Sequence, residues 1–139
     1  MFTLQQLKAA HAKVRTGADF PRYIQEIKEL GLLRYEFMVR DGAFVYYGVG
    51  GQRIEREGSY APQVISRVAS PDILRDTIAI HQQGRTDFLT FCRQAAEAGV
   101  GMWEIDTQRM VCTYFDLEGN RMVEEGIPTW KEFTRPCHP

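Results

Sequence analysis

Two histidines and two glutamates offer the most chemistry in this sequence. His11 and His81 are two of its three histidines, and Glu36 and Glu104 lie 68 residues apart. An imidazole titrates close to neutrality, so a pair of them could pass a proton or sense one. His11, however, falls in register with Leu4, Leu7 and Val14, on the apolar stripe of a predicted helix. That pattern favours a structural role for this polar pair: a neutral ring bonded to the start of the neighbouring helix, near Asp19 for one and Asp87 for the other. Each glutamate follows a large aromatic, Tyr35 or Trp103, in a predicted strand. Successive strand residues point to opposite faces, so an inward aromatic puts the carboxylate outward. Met38, Val45 and Tyr47 share that outer face with Glu36, and Asp106, Val111, Thr113 and Phe115 share it with Glu104. Exposed aromatic and methionine side chains are enriched in contact surfaces. Glu36, Tyr47, Glu104 and Phe115 are therefore the candidate functional surface, with a second copy of the chain as candidate partner.

The remaining reactive types have simpler explanations. Asp19 and Asp87 stand where a side chain can cap the first turn of a helix. Cys92 sits on a helical stripe where the matching position is Ile24, and nothing around it supplies a base or an oxyanion site. Cys92, Cys112 and Cys137 form an odd set without CxxC spacing, which reads as reduced thiols, neither a disulfide frame nor a metal site. The run Gly48-Val49-Gly50-Gly51 follows a strand with no helix after it, so no amide-rich helix end is present to cradle phosphate. The aromatic strands carry Glu36, Glu104 and Asp106 beside Arg34 and Arg40, a poor charge pattern for a nucleic-acid stacking platform. No catalytic residues and no cofactor are expected from this set. The expected function is thus non-enzymatic, through a protein–protein or self-association surface on the sheet. The alternatives are a small-molecule-binding domain with a groove on a pseudo-twofold axis, or an enzyme using the repeated His and Glu residues. Convergence of the four side chains on one open pocket would favour the alternatives.

The elements that must position these residues come in two sets. A shift of 68 positions aligns residues 19–58 with 87–126 without a gap, giving 10 identities in 40 positions. Among them Asp19-Phe20 meets Asp87-Phe88, Gly31 meets Gly99, Glu36 meets Glu104 and Tyr46 meets Tyr114. The pattern is read as a tandem repeat of helix-helix-strand-strand-strand units, about 3–58 and 71–126, in one domain with linker 59–70 and tail 127–139. Thr3 and Gln6 make a capping box, with Phe2 placed to staple onto Leu7. Ser70-Pro71 is a cap followed by proline at the first helical position. Phe20, Tyr23, Ile24, Ile27 and Leu30 form the stripe of a second helix, repeated by Phe88, Phe91, Cys92, Ala95 and Ala98 in smaller residues. Strands are predicted over 34–39 and 43–49 about an Asp41-Gly42 turn, and over 101–107 and 110–116. Third strands are predicted over 52–57 and 120–125. The tail, with Trp130 and Phe133 between prolines, is expected to pack down and then fray. The fold class is α+β, helices packed on a mostly antiparallel sheet.

Bulk properties narrow the function classes. The 17 basic and 18 acidic residues leave no charge excess to attract nucleic acid or anionic lipid. Residues 1–70 carry 10 basic against 7 acidic side chains, and the rest 7 against 11, an asymmetry suited to docking two halves or two subunits. No apolar run approaches the roughly 20 residues of a membrane helix, and no secretion signal is evident at the start. A cytoplasmic location and no membrane partner are the expectations.

The stretches AHAKVRTGADFPRYIQEIKELG (Ala10 to Gly31) and HQQGRTDFLTFCRQAAEAGVGMWEIDTQRMVCTYFD (His81 to Asp116) resemble the YbcV/YdfO-like family of bacterial and prophage-borne proteins. Members are often called phage envelope proteins. The resemblance implies neither an activity, a cofactor nor a catalytic residue, because the function of that family is itself unknown. A literal envelope role sits badly with a chain lacking a membrane-length apolar run.

Overall fold

The computed structural model describes residues 1–15 and 17–128. The first helix, α1 (Leu4–Ala12), starts at the capping box: Gln6 N donates to Thr3 Oγ1 at 3.2 Å and Thr3 N donates to Gln6 Oε1 at 2.8 Å. A 3₁₀ turn (Gly17–Asp19) leads into α2 (Phe20–Glu29). That turn gives Asp19 a helical backbone, φ −83° and ψ −9°, and its side chain does not cap α2. Its carboxylate instead accepts from Arg15 N at 2.9 Å, which corrects the expected cap. In the second half, α3 (Pro71–Gln82) is capped by Ser70, and α4 (Phe88–Glu97) by Asp87, which accepts from Thr90 N at 2.7 Å.

Strands β1 (Leu32–Met38), β2 (Ala43–Gly48) and β3 (Arg53–Arg56) follow α2, and β4 (Val100–Asp106), β5 (Val111–Asp116) and β6 (Arg121–Gly126) follow α4. The protein is α+β: among the described residues, four α-helices accompany one six-stranded antiparallel sheet in the order β3-β2-β1-β4-β5-β6. The ranges of α2 and α4, of β1 and β4, and of β2 and β5 each correspond at the 68-residue offset.

The two halves meet along β1 and β4. Glu36 pairs with Glu104 at the centre of that ladder, flanked by Tyr35 opposite Ile105 and Phe37 opposite Trp103. Val39 N donates to Gly101 O at 3.1 Å at one end, and Thr107 N to Leu33 O at 3.0 Å at the other. The wholly buried Thr107 hydroxyl adds bonds to the Leu32 and Leu33 carbonyls at 2.6 and 2.9 Å. The irregular connector between the halves is also tied down. Gln63 Nε2 donates to Val39 O at 2.9 Å, Ser66 N to Ala96 O at 2.9 Å, and Ser70 N to Ala98 O at 2.9 Å.

Alternation assigns the sheet faces. Tyr35, Phe37, Phe44, Tyr46, Trp103, Ile105 and Tyr114 are buried on the helix side, whereas Glu36, Val45, Tyr47 and Phe115 are half-buried on the other. Burying the aromatic face against the helical stripes is the main apolar contribution to folding. Phe20 and Phe88, expected within the stripes, are only partly buried, because the space beside them is open. The 127–139 tail lies outside the described residues from 129 onward, Trp130, Phe133 and Cys137 included.

Candidate functional site

On the outer face, the two glutamates occupy adjacent strands directly opposite each other. Arg34 Nη1 lies 3.6 Å from Glu36 Oε2 and 3.7 Å from Glu104 Oε2, so one guanidinium serves both carboxylates. Tyr47 Oη donates to Glu36 Oε1 at 3.1 Å, and the Arg34 guanidinium stacks 3.7 Å above the Tyr47 ring. Glu36, Glu104 and Tyr47 are thus brought together, with Arg34 as the residue that joins them. Phe115 lies on the same face, opposite Met102. The polar groups of this cluster bond and pair with one another.

The histidines lie on the other side of the sheet, and there the structure opens. A cavity of about 390 Å³ lies between helices and sheet, within the range of about 300–1,000 Å³ typical of ligand sites. Both His11 and His81 line it, together with Tyr23, Phe44, Phe88 and Trp103 among others from both halves. The wall is built by the inward-facing positions of β1, β2, β4 and β5 and by the inner turns of all four helices. Matching positions of the two halves contribute together: Phe20 with Phe88, Tyr23 with Phe91, Tyr35 with Trp103, and Phe44 with Cys112. Phe37 stacks on Trp103 with ring centres 4.3 Å apart, giving the floor an extended aromatic surface.

The two imidazoles differ in their bonds. The His11 ring is boxed by Tyr23, Phe44 and Phe88, with centroids 5.3–5.4 Å away, and Arg56 Nη1 lies 3.4 Å from its Nδ1. The polar contact seen for this ring is therefore Arg56 of β3, not the start of a neighbouring helix as expected. Because a guanidinium only donates, the contact assigns a lone pair to Nδ1 and the proton to Nε2. Burial, and then the Arg56 charge, lower the His11 pKa from 6.5 to about 4. His81 stacks on Phe91 at 4.4 Å, and its Nδ1 lies 3.1 Å from Thr86 O and 3.0 Å from Thr86 Oγ1, just before Asp87. A carbonyl only accepts, which assigns the His81 proton to Nδ1 and leaves Nε2 as an acceptor. Burial lowers its pKa as well, against the raising effects of the Thr86 carbonyl and Asp87.

Three further residues bear on the cavity and were not singled out from sequence: Tyr23 lines it, Tyr46 stacks on the lining Phe44, and Arg56 sits against His11 and Phe44. The hydroxyls of Tyr23 and Tyr46 are buried without a hydrogen-bond partner among the described residues. Arg56 lies alongside them, near enough for its charge to act on both hydroxyls. Burial dominates and pushes both tyrosines up. Arg56 also lies 5.0 Å over the Phe44 ring. Glu125 occupies the place in β6, opposite Cys112, that Arg56 occupies in β3, opposite Phe44, and Gln82 Nε2 donates to it at 3.1 Å. The one available signal was Arg56 itself, a cation at an inward position of an alternating strand. Burial raises the Cys112 thiol well above its usual range and pushes Cys92 up to about 12, so neither is a ready nucleophile. No group of three or more His, Cys, Asp or Glu residues among the described residues is placed to hold a metal ion.

A family model described as "Protein of unknown function (DUF1398)" matches residues 8–126. The chain belongs to the DUF1398 family. The matched span contains both histidines and every strand that walls the cavity. A comparison with curated proteins found no match. Among the described residues, no helix of this DUF1398 protein is long and apolar enough to cross a membrane.

Proposed function

We propose that this DUF1398 protein is a non-enzymatic binding domain for a small, largely apolar molecule held in the cavity between helices and sheet. The observation that carries the reading is the convergence of both histidines, without Glu36 and Glu104, and of paired aromatic positions from the two halves on one space of about 390 Å³. A buried hydroxyl without a partner, that of Tyr23, belongs to a residue of the same wall. Leaving such a group unsatisfied costs about 1–3 kcal/mol, which a ligand bond would recover. The outer face has weaker support as a contact surface, since Arg34, Glu36, Glu104 and Tyr47 already satisfy one another. An enzymatic reading has weaker support, because burial raises both described thiols away from the nucleophilic thiolate.

The test uses the neutral fluorophore N-phenyl-1-naphthylamine, whose emission rises in an apolar site. Saturable binding by the folded chain is expected, together with a raised melting temperature, because a ligand of the native state stabilises it. Cys112→Phe, which places in the wall the side chain found at the matching position 44, should remove binding while the chain stays folded. Failure of the parent chain to bind, or unchanged binding by a folded Cys112→Phe, would sink the proposal.

A further inference from the structure

The cavity is chemically polarised, and we infer that it takes an aromatic acid, its rings against the aromatic wall and its anionic group at the end formed by His11 and Tyr23. This rests on the cavity being a ligand site, as proposed above. At that end every assigned polar group is a donor. His11 has its proton on Nε2 because Nδ1 faces Arg56, and the Tyr23 hydroxyl is buried with no partner among the described residues. Arg56 stands one layer behind, against His11 and Phe44, and supplies a full positive charge. Among the described residues, no carboxylate lies within ion-pairing distance of it. A half-buried cation with no carboxylate beside it favours an incoming anion at this end.

The opposite end would repel an anion. Glu125 lines the cavity there, held by Gln82, and His81 keeps an unprotonated Nε2. The ligand's charge therefore has one favourable end, and the stacked Phe37 and Trp103 rings suit a flat body between the two. Arg56 is a positioning residue in this scheme. It fixes the His11 tautomer and provides the field, while His11 Nε2–H and Tyr23 O–H make the bonds to the anion.

The test compares two probes that differ by one sulfonate: 8-anilinonaphthalene-1-sulfonate and neutral N-phenyl-1-naphthylamine. The folded parent chain should bind the sulfonate about tenfold more tightly, equivalent to about 1.4 kcal/mol. Arg56→Met keeps the stem and removes the charge, so it should bring the two affinities together by weakening the sulfonate alone. Tyr23→Phe keeps the ring and removes the hydroxyl, so it should weaken the sulfonate severalfold more than it weakens the neutral probe. Neutral-probe binding with no sulfonate preference, or a preference that survives Arg56→Met and Tyr23→Phe, would overturn the inference while leaving the cavity as a ligand site. Binding of neither probe would overturn both.

Discussion

At the scale of single residues, burial decides what the histidines can do. His11 holds a folded pKa of about 4 against an ordinary 6.5, with desolvation the larger cause and Arg56 the smaller. The unfolded chain therefore takes up a proton near pH 6.5, and the folded chain only near pH 4. Between those values the unfolded state binds more protons, so the native state loses stability as pH falls through the window and regains it as pH rises. The shift corresponds to about 3 kcal/mol at most for this partly exposed ring. His11→Gln keeps an acceptor for Arg56 but cannot titrate. Urea midpoints measured at pH 7 and pH 4.5 should fall further for the parent chain than for His11→Gln. Parallel losses would mean that the ring is not kept neutral by its surroundings. Sequence position alone placed His11 on an apolar stripe, and hence in a buried setting. It could not supply Arg56, a partner 45 residues away on another element, because helical periodicity carries no information about what packs opposite.

At the scale of elements, local signals were the informative ones. The capping box of α1, the Ser70 and Asp87 caps, and the alternation of β1 and β2 all depend on neighbours within a few residues, and the structure contains each of them. The Asp19 cap failed because a 3₁₀ turn, itself held by Arg15 N bonding to the Asp19 carboxylate, changes the backbone entering α2. The ends of α2 and α4 show how one local motif acquires different non-local constraints. Gly31 and Gly99 follow these helices with φ of +101° and +94°, the left-handed region that favours glycine. A Cβ at Gly31 would meet nothing within 4 Å, whereas one at Gly99 would lie 2.7 Å from Ala69 Cα in the connector. Gly31→Ala should therefore cost only the conformational strain, about 1–2 kcal/mol. Gly99→Ala must also displace the backbone that bonds Ser70 N to Ala98 O, and should cost clearly more. Denaturation midpoints of the two variants check the order, and equal losses would show that the connector gives way freely.

At the scale of the whole molecule, the cavity and the β1–β4 joint arise from the same assembly. Two sets of elements share one sheet, so large aromatics from both inner faces confront helices of unequal bulk, with Cys92, Ala95 and Ala98 standing where the matching stripe has Ile24, Ile27 and Leu30. The substitution of small for large was legible in sequence, but the resulting volume depends on how four helices sit over six strands. The outer face shows the other consequence of the joint: two like charges are placed opposite each other at its centre. Like charges in cross-strand pairs are destabilising, and Arg34 offsets this by reaching both carboxylates from the same face. Removing that cation should therefore cost more than an ordinary surface ion pair is worth. Arg34→Met is expected to lower stability by about 1 kcal/mol, the side chains being partly exposed and the pair screened by solvent. High salt should narrow the gap to the parent chain, because screening weakens the remaining repulsion between Glu36 and Glu104. Adding Glu104→Gln should restore much of the loss, since a neutral amide opposite Glu36 removes the repulsion outright. Measuring the four chains by urea denaturation at low and high salt isolates the coupling. If Glu104→Gln is equally costly with and without Arg34, the two glutamates do not interact across the joint, and the Arg34 contact is only a surface decoration of the sheet.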